Sequence, residues 1–220
     1  MQVYTEQEHA EQRATLRRDS RAPRDTRATN GMEEDDQRGR LNCFALVSYL
    51  PEPLRGYLDR LRCDLVPECH AKAHVTVLPP RPLAVSAEQA GSELSHALGD
   101  FPPFEVELGA ISIFPDTQVI FIELARGAGE LRRMHAALNA GAVQFREPFP
   151  YHPHITLAQQ IEDPALVAAA FGTAERRWRE FAGERTFEVR RLAFVQNSVG
   201  NFWRDLQQYD LAASPENAAR

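Results

Sequence analysis

With 220 residues, 43% of them apolar and 25% charged, the chain can hold one ordinary domain or two small lobes, plus a tail. A net charge of −6 excludes a basic sheath for long nucleic acid. No apolar run approaches the ~20 residues that a bilayer span needs, so no membrane association is expected. Residues 5–40 are polar and show no apolar signal region, so secretion is not expected. The three cysteines (Cys43, Cys63, Cys69) contain no Cys-x-x-Cys pair and read as reduced thiols in a cytoplasm.

Residues 1–40 carry seventeen charged side chains and almost no aliphatic periodicity. They cannot bury enough apolar surface to offset chain ordering, and are expected to form a disordered tail. Met32, followed by Glu33-Glu34-Asp35-Asp36, reads as an alternative start of translation. Residues 41–49 read as a strand. Pro51 and Pro53 then open a helix with Leu54, Tyr57, Leu58, Leu61 and Leu65 at helical spacing. Residues 71–78 form a β-branched strand. Ser86 and Gln89 make a capping-box signature for a helix bearing Ala90, Leu94 and Leu98. Phe104, Val106 and Leu108 alternate with Glu105 and Glu107, and the apolar phase flips to Ile111 and Ile113 across Gly109, the mark of a bulged antiparallel strand.

After a turn at Pro115-Asp116 comes a strand over residues 119–124, then a helix with Leu131, Met134 and Leu138. A second β-branched strand spans residues 152–158. Asp163-Pro164 supplies an N-cap and first turn for a helix whose buried side is expected to include Leu166, Val167, Ala170, Phe171, Trp178 and Phe181. Strands over residues 187–195 and 202–211 complete a folded region over 41–211, and residues 212–220 read as a frayed end. The order predicts an α+β fold with antiparallel sheets and outer helices. The recurring strand–helix–strand pattern suggests two lobes facing one another.

Two short strings carry the chemistry: His74-Val75-Thr76-Val77 and His154-Ile155-Thr156-Leu157. In a strand, residues i and i+2 share a face and lie roughly 6.5 Å apart. Each string therefore aims one imidazole and one hydroxyl the same way. Two such pairs suit in-line displacement at phosphorus: one imidazole deprotonates the nucleophile, the other protonates the leaving oxygen, and Thr76 and Thr156 donate to the non-bridging oxygens. This chemistry needs no metal and no cofactor.

With these motifs the chain resembles the 2H phosphoesterases, which include bacterial RNA 2′,3′-cyclic phosphodiesterases (also called 2′-5′ RNA ligases) and plant cyclic nucleotide phosphodiesterases. The resemblance covers about residues 41–211. It implies a bilobal α+β fold whose two antiparallel sheets line a central cleft. It also implies metal-independent action on 2′,3′-cyclic phosphates of RNA ends or small nucleotides, a 2′-phosphomonoester product, and reverse joining of RNA ends through a 2′-5′ bond. His74 and His154 would be catalytic and Thr76 and Thr156 would bind phosphate. His154 is assigned as the base and His74 as the acid, although the residues alone do not separate them.

Phe149, Tyr151, Phe202 and Trp203 are candidates to stack a base. Lys72, the sole lysine against twenty-four arginines, is expected on the face of His74, either near an anion or in solvent. His70 and His152 share parity with the motif histidines and are placed at strand mouths, and His135 on the apolar face of its helix. A zinc site from Cys63, Cys69, His70 and His74 fits no common ligand spacing. Two alternatives stand beside the phosphodiesterase: a non-catalytic module that binds RNA ends or nucleotides, and a family member acting on another phosphoester such as a cyclic ADP-ribose phosphate. The expected protein is a monomer with no obligate protein partner.

Overall fold

The computed structural model describes residues 39–67 and 69–212. The segments expected to be a disordered tail and a frayed end lie outside the described residues, apart from positions 39, 40 and 212. Arg40 already belongs to the first strand. Among the described residues there are eight strands and four α-helices, and no helix is long and apolar enough to cross a membrane.

In chain order these are β1 (Arg40–Tyr49), α1 (Leu54–Leu65), β2 (His74–Arg81), α2 (Ala87–Leu98), β3 (Phe104–Ile113), β4 (Ile120–Arg126), α3 (Ala128–Leu138), β5 (Ile155–Ala158), α4 (Pro164–Glu180), β6 (Thr186–Val189), β7 (Arg191–Ser198) and β8 (Phe202–Asp210). A short 3-10 turn, Gly141–Val143, follows α3. The strands form two antiparallel sheets, ordered β2-β1-β7-β8 and β5-β4-β3-β6. The expected α+β architecture is therefore present.

The helix ends follow their sequence signals. Ser86 accepts the Gln89 N–H at 3.1 Å, although the Gln89 side chain turns to Glu93, so only half of the capping box forms. Asp163 accepts the Ala165 N–H at 2.8 Å with Pro164 in the first turn. The phase flip at Gly109 is a break in the β3–β4 register. The Gly109 carbonyl there accepts the Trp178 indole N–H at 2.8 Å and pins α4 to the bulge.

Several expectations need correction. Residues 187–195 are not one strand: β6 pairs with β3 in one sheet, while β7 pairs with β1 in the other. Arg190-Arg191 break the alternation, moving the buried positions from Phe187 and Val189 to Leu192 and Phe194. That parity change lets the chain switch sheets. β2 starts only at His74 and runs through Pro79-Pro80 to Arg81, which an edge strand tolerates because its outer N–H groups have no ladder partner. β5 is four residues long, so His152 and His154 precede it. Leu166 is 59% exposed, one turn from the α4 cap and off the buried stripe of Val167, Ala170, Ala174 and Trp178.

One continuous apolar core runs under both sheets and the helices. Alternation along β1 and β7 divides the first sheet. Phe44, Leu46, Leu192 and Phe194 face that core, while Ala45, Val47, Ala193 and Val195 form a smaller cluster on the opposite face with Tyr49 and Trp203.

Candidate active site

β2 and β5 are edge strands of different sheets and lie against each other. Val75, Val77, Ile155 and Leu157 are fully buried in the core. The same alternation turns His74, Thr76, His154 and Thr156, all partly buried, to the other side. Neighbouring strands supply an aromatic ring beside each motif. Tyr49 is the register partner of His74, with their rings edge-on at 6.4 Å. Phe121 is the partner of Thr156 and meets the His154 ring at 5.1 Å, with Phe114 at 5.2 Å.

The two imidazoles are held alike. Nδ1 of His74 lies 2.6 Å from the Lys72 carbonyl, and Nδ1 of His154 lies 2.6 Å from the His152 carbonyl. A carbonyl only accepts, so each Nδ1 carries the hydrogen and each Nε2 keeps a free lone pair in the neutral ring. The Thr156 hydroxyl donates to Nε2 of His154 at 3.1 Å. Both rings are thus oriented with their reactive nitrogens fixed in one tautomer.

Their electrostatic settings differ. Burial lowers the pKa of His74 to about 4, with the Arg62 guanidinium adding to the effect, the Lys72 carbonyl opposing it and His154 contributing a further small lowering. His154 is also lowered, chiefly by burial, with the His152 carbonyl opposing, the His152 imidazole adding to the lowering and the Glu123 carboxylate pulling the other way. His152 itself pairs with Glu123 at 2.8 Å.

Arg62 was not singled out by the sequence. It lies on α1, is only 5% exposed, and donates from Nη1 to the Thr156 carbonyl at 2.8 Å and from Nη2 to Cys69 Sγ at 3.4 Å. Its buried Nε has no partner, an arrangement that costs about 1–3 kcal/mol. Its one sequence signal is position, four residues after Leu58 on the buried side of α1.

The sheet face beside His74 is an apolar shelf. Ala45, Val47, Ala193 and Val195 are small or β-branched, and the rings of Tyr49 and Trp203 border them. Tyr49 is fixed by a 2.6 Å hydrogen bond to Asp205, and Lys72 Nζ lies 5.4 Å from its ring centre. Of the stacking candidates, Trp203 therefore sits on the motif face. Tyr151 does not stand free: its hydroxyl donates to the Thr76 carbonyl at 2.7 Å and its ring stacks on His135 at 3.9 Å, so it braces β2. Phe149 is 56% exposed, and Phe202 stacks on His70 at 4.5 Å.

Behind β2 lies a polar network that sequence reasoning also missed. Nδ1 of His135 is 2.9 Å from the Val77 carbonyl, and Glu147 lies between His135 and the buried Arg81, 2.5 Å from the latter. The four side chains considered for zinc have other engagements: Cys63 donates to the Cys69 carbonyl, Cys69 accepts from Arg62, His70 stacks on Phe202, and His74 is turned to Lys72. A shallow depression of about 680 Å³ beside α2, lined by Leu83, Gln89, Glu93 and Phe145 among others, holds no histidine.

Comparison with known proteins adds the following. The family model described as the 2′-5′ RNA ligase superfamily matches residues 50–201. A crystal structure described as a phosphoesterase aligns with a TM-score of 0.54 at 20% identity, covering 79% of this chain and 98% of that one. E. coli LigT complexed with 3′-AMP aligns with a TM-score of 0.53 at 19% identity, and the same protein complexed with NADP+ with 0.54 at 20%, both with the same coverage. At such identities the likeness shows a shared fold. No curated protein matches the chain.

Proposed function

Because the chain belongs to the 2′-5′ RNA ligase superfamily, we propose that it is a metal-independent phosphodiesterase opening 2′,3′-cyclic phosphates of RNA ends or small nucleotides. The observation that carries this reading is the pair of imidazoles at the facing edge strands β2 and β5, His74 opening the one and His154 just preceding the other, each with Nδ1 tied to a carbonyl so that Nε2 is the proton-transferring nitrogen; that of His154 holds the Thr156 hydroxyl, which a bound phosphate oxygen would take over. One Nε2 takes a proton from the attacking water as the new P–O bond forms. The opposite imidazolium gives its proton to the ribose 3′ oxygen as the old P–O bond breaks, leaving a 2′-phosphomonoester. Each transfer is worth ~10²–10⁴ in rate. The Thr76 and Thr156 hydroxyls donate to the non-bridging oxygens, where charge accumulates. With the 5′ hydroxyl of a second strand as nucleophile in place of water, the same groups join RNA ends by a 2′-5′ bond as the bond from phosphorus to the 3′ oxygen breaks and that oxygen takes the proton.

The shelf of Tyr49 and Trp203 next to His74 suits a nucleobase, since every base has a face to stack. Lys72, two residues before His74, suits the next phosphate along an RNA strand. Three free thiols fit a reducing cytoplasm.

Turnover of 2′,3′-cyclic AMP, a cyclic-phosphate-ended oligonucleotide and a cyclic ADP-ribose phosphate, with products assigned by phosphorus NMR, tests the proposal. It requires a 2′-monophosphate from at least one of the first two. Binding without turnover would replace it with a non-catalytic nucleotide-binding module. Consumption of the third substrate alone would move the activity to another phosphoester.

A further inference from the structure

We propose that Arg62 and Tyr151 are reciprocal positioning residues: each stands on the approach to one motif and hydrogen-bonds the backbone of the other motif's threonine, and together they fix the gap across which one phosphate is held. This rests on the reading that both His/Thr pairs engage a single phosphoester.

Strand pairing leaves that gap unsupported. β2 is bonded to β1 and β5 to β4, each at the end of its sheet, and among the described residues no backbone ladder joins the two facing edges. A carbonyl on such an edge needs another partner where water is excluded. Arg62 lies on α1, which leads into the first motif, yet its Nη1 donates to the Thr156 carbonyl of the second at 2.8 Å. Tyr151 lies just before His154, yet its hydroxyl donates to the Thr76 carbonyl of the first motif at 2.7 Å. The helices repeat the crossing. α1 packs on β5, and α3, the helix before the second motif, packs on β2.

Each tie is braced. Arg62 is buried and its Nη2 meets Cys69 Sγ at 3.4 Å. One turn earlier on α1, Asp59 accepts the Ala73 N–H at 2.5 Å, so the helix that ties the second motif also holds the residue beside His74. The Tyr151 ring stacks on His135 at 3.9 Å, and Nδ1 of His135 donates to the Val77 carbonyl, next to Thr76, at 2.9 Å. Side chains thus do across the gap what a strand partner would do. Displacing either strand would keep its own imidazole and hydroxyl together but part them from the other pair. A substrate can still rest on one pair, whereas the transition state needs both at once, so the loss falls on kcat rather than KM.

The test is steady-state hydrolysis of 2′,3′-cyclic AMP by the full chain carrying Tyr151→Phe, Arg62→Met, Arg62→Lys, or Tyr151→Phe with Arg62→Met, and Tm is measured for each. Tyr151→Phe removes one oxygen and keeps the ring on His135. It should lower kcat by about 10–10²-fold, the scale of a misplacement of about 1 Å, with KM and Tm little changed. Arg62→Lys, which keeps a donor, should recover part of the kcat that Arg62→Met loses. The double variant should lose less than the product of the two single losses, because both ties set one gap. An unchanged kcat in Tyr151→Phe, a rise in KM alone, no recovery by lysine, or losses that multiply would overturn the proposal. A second measurement needs no turnover. Amide hydrogen exchange of the full chain should quicken over residues 74–81 in Tyr151→Phe and over residues 154–158 in Arg62→Met, each time in the motif opposite the substitution. Quickening confined to the substituted residue's own segment would refute the ties even in an active enzyme. Quickening in the opposite motif of a protein that turns over no cyclic phosphate would uphold the ties and remove only the functional reading.

Discussion

Replacing Glu147 by alanine should unsettle the motif strand through a residue that touches no substrate. Arg81 closes β2 with its side chain 2% exposed, and Glu147, 10% exposed, lies 2.5 Å away. Burial depresses the Arg81 pKa and Glu147 opposes that depression. Without Glu147 the guanidinium keeps only neutral acceptors: the Pro79 carbonyl at 2.9 Å, Asn139 at 2.8 Å and the Val143 carbonyl at 2.8 Å. Breaking a buried pair from one side costs about 3–5 kcal/mol. The three surviving hydrogen bonds place this case near the lower end, about 3 kcal/mol, or roughly 6–12 °C in Tm for a chain of this size. Urea denaturation of Glu147→Ala, Arg81→Met and the double variant measures it. The double variant should be less damaged than the sum of the singles, because neither charge is then stranded. A loss below about 1 kcal/mol in Glu147→Ala would show that water reaches Arg81 and that the network does not secure β2.

Stability should fall as pH drops from about 6.5 towards 4. His74 is lowered to about 4 and His154 is lowered too, so in that window the unfolded chain binds protons that the native one refuses. Tm measured across the window should decline less steeply in His74→Gln, and an unchanged slope would contradict the buried setting. Trp203→Ala should raise KM for nucleotide substrates roughly tenfold with kcat little altered, the scale of one lost base stack, and equal KM values in both proteins would remove the shelf from the account. Lys72→Ala should weaken cyclic-phosphate-ended oligonucleotides and reduce their salt dependence by about one unit of slope, while leaving 2′,3′-cyclic AMP unaffected. An equal effect on both would place Lys72 elsewhere than on the RNA strand.

The motif residues were legible because strand periodicity is a local property: valine and isoleucine at alternate positions bury one face and turn histidine and threonine to the other. Helix starts at Ser86 and Asp163 were legible for the same reason, since a cap involves only three or four residues. What escaped were features made by distant segments. Arg62, on an otherwise apolar stripe, acquires its meaning from Thr156, ninety-four positions away. Tyr151 reads as a spare aromatic until the Thr76 carbonyl, at the free edge of β2, meets its hydroxyl. The split of residues 187–195 between two sheets was visible as a parity change at Arg190-Arg191, but the pairing partners were not.

The central claim is that His74 and His154 act as one acid–base pair on a cyclic phosphate, and single-turnover rates of the two alanine variants and their double test it most directly. Each single variant should lose roughly 10²-fold or more, the worth of one proton-transfer role. The double should be little worse than either, because residues that act as a unit are not additive, and EDTA should leave all the rates unchanged. Full activity in His154→Ala, or abolition by EDTA reversed by a divalent ion, would contradict the account.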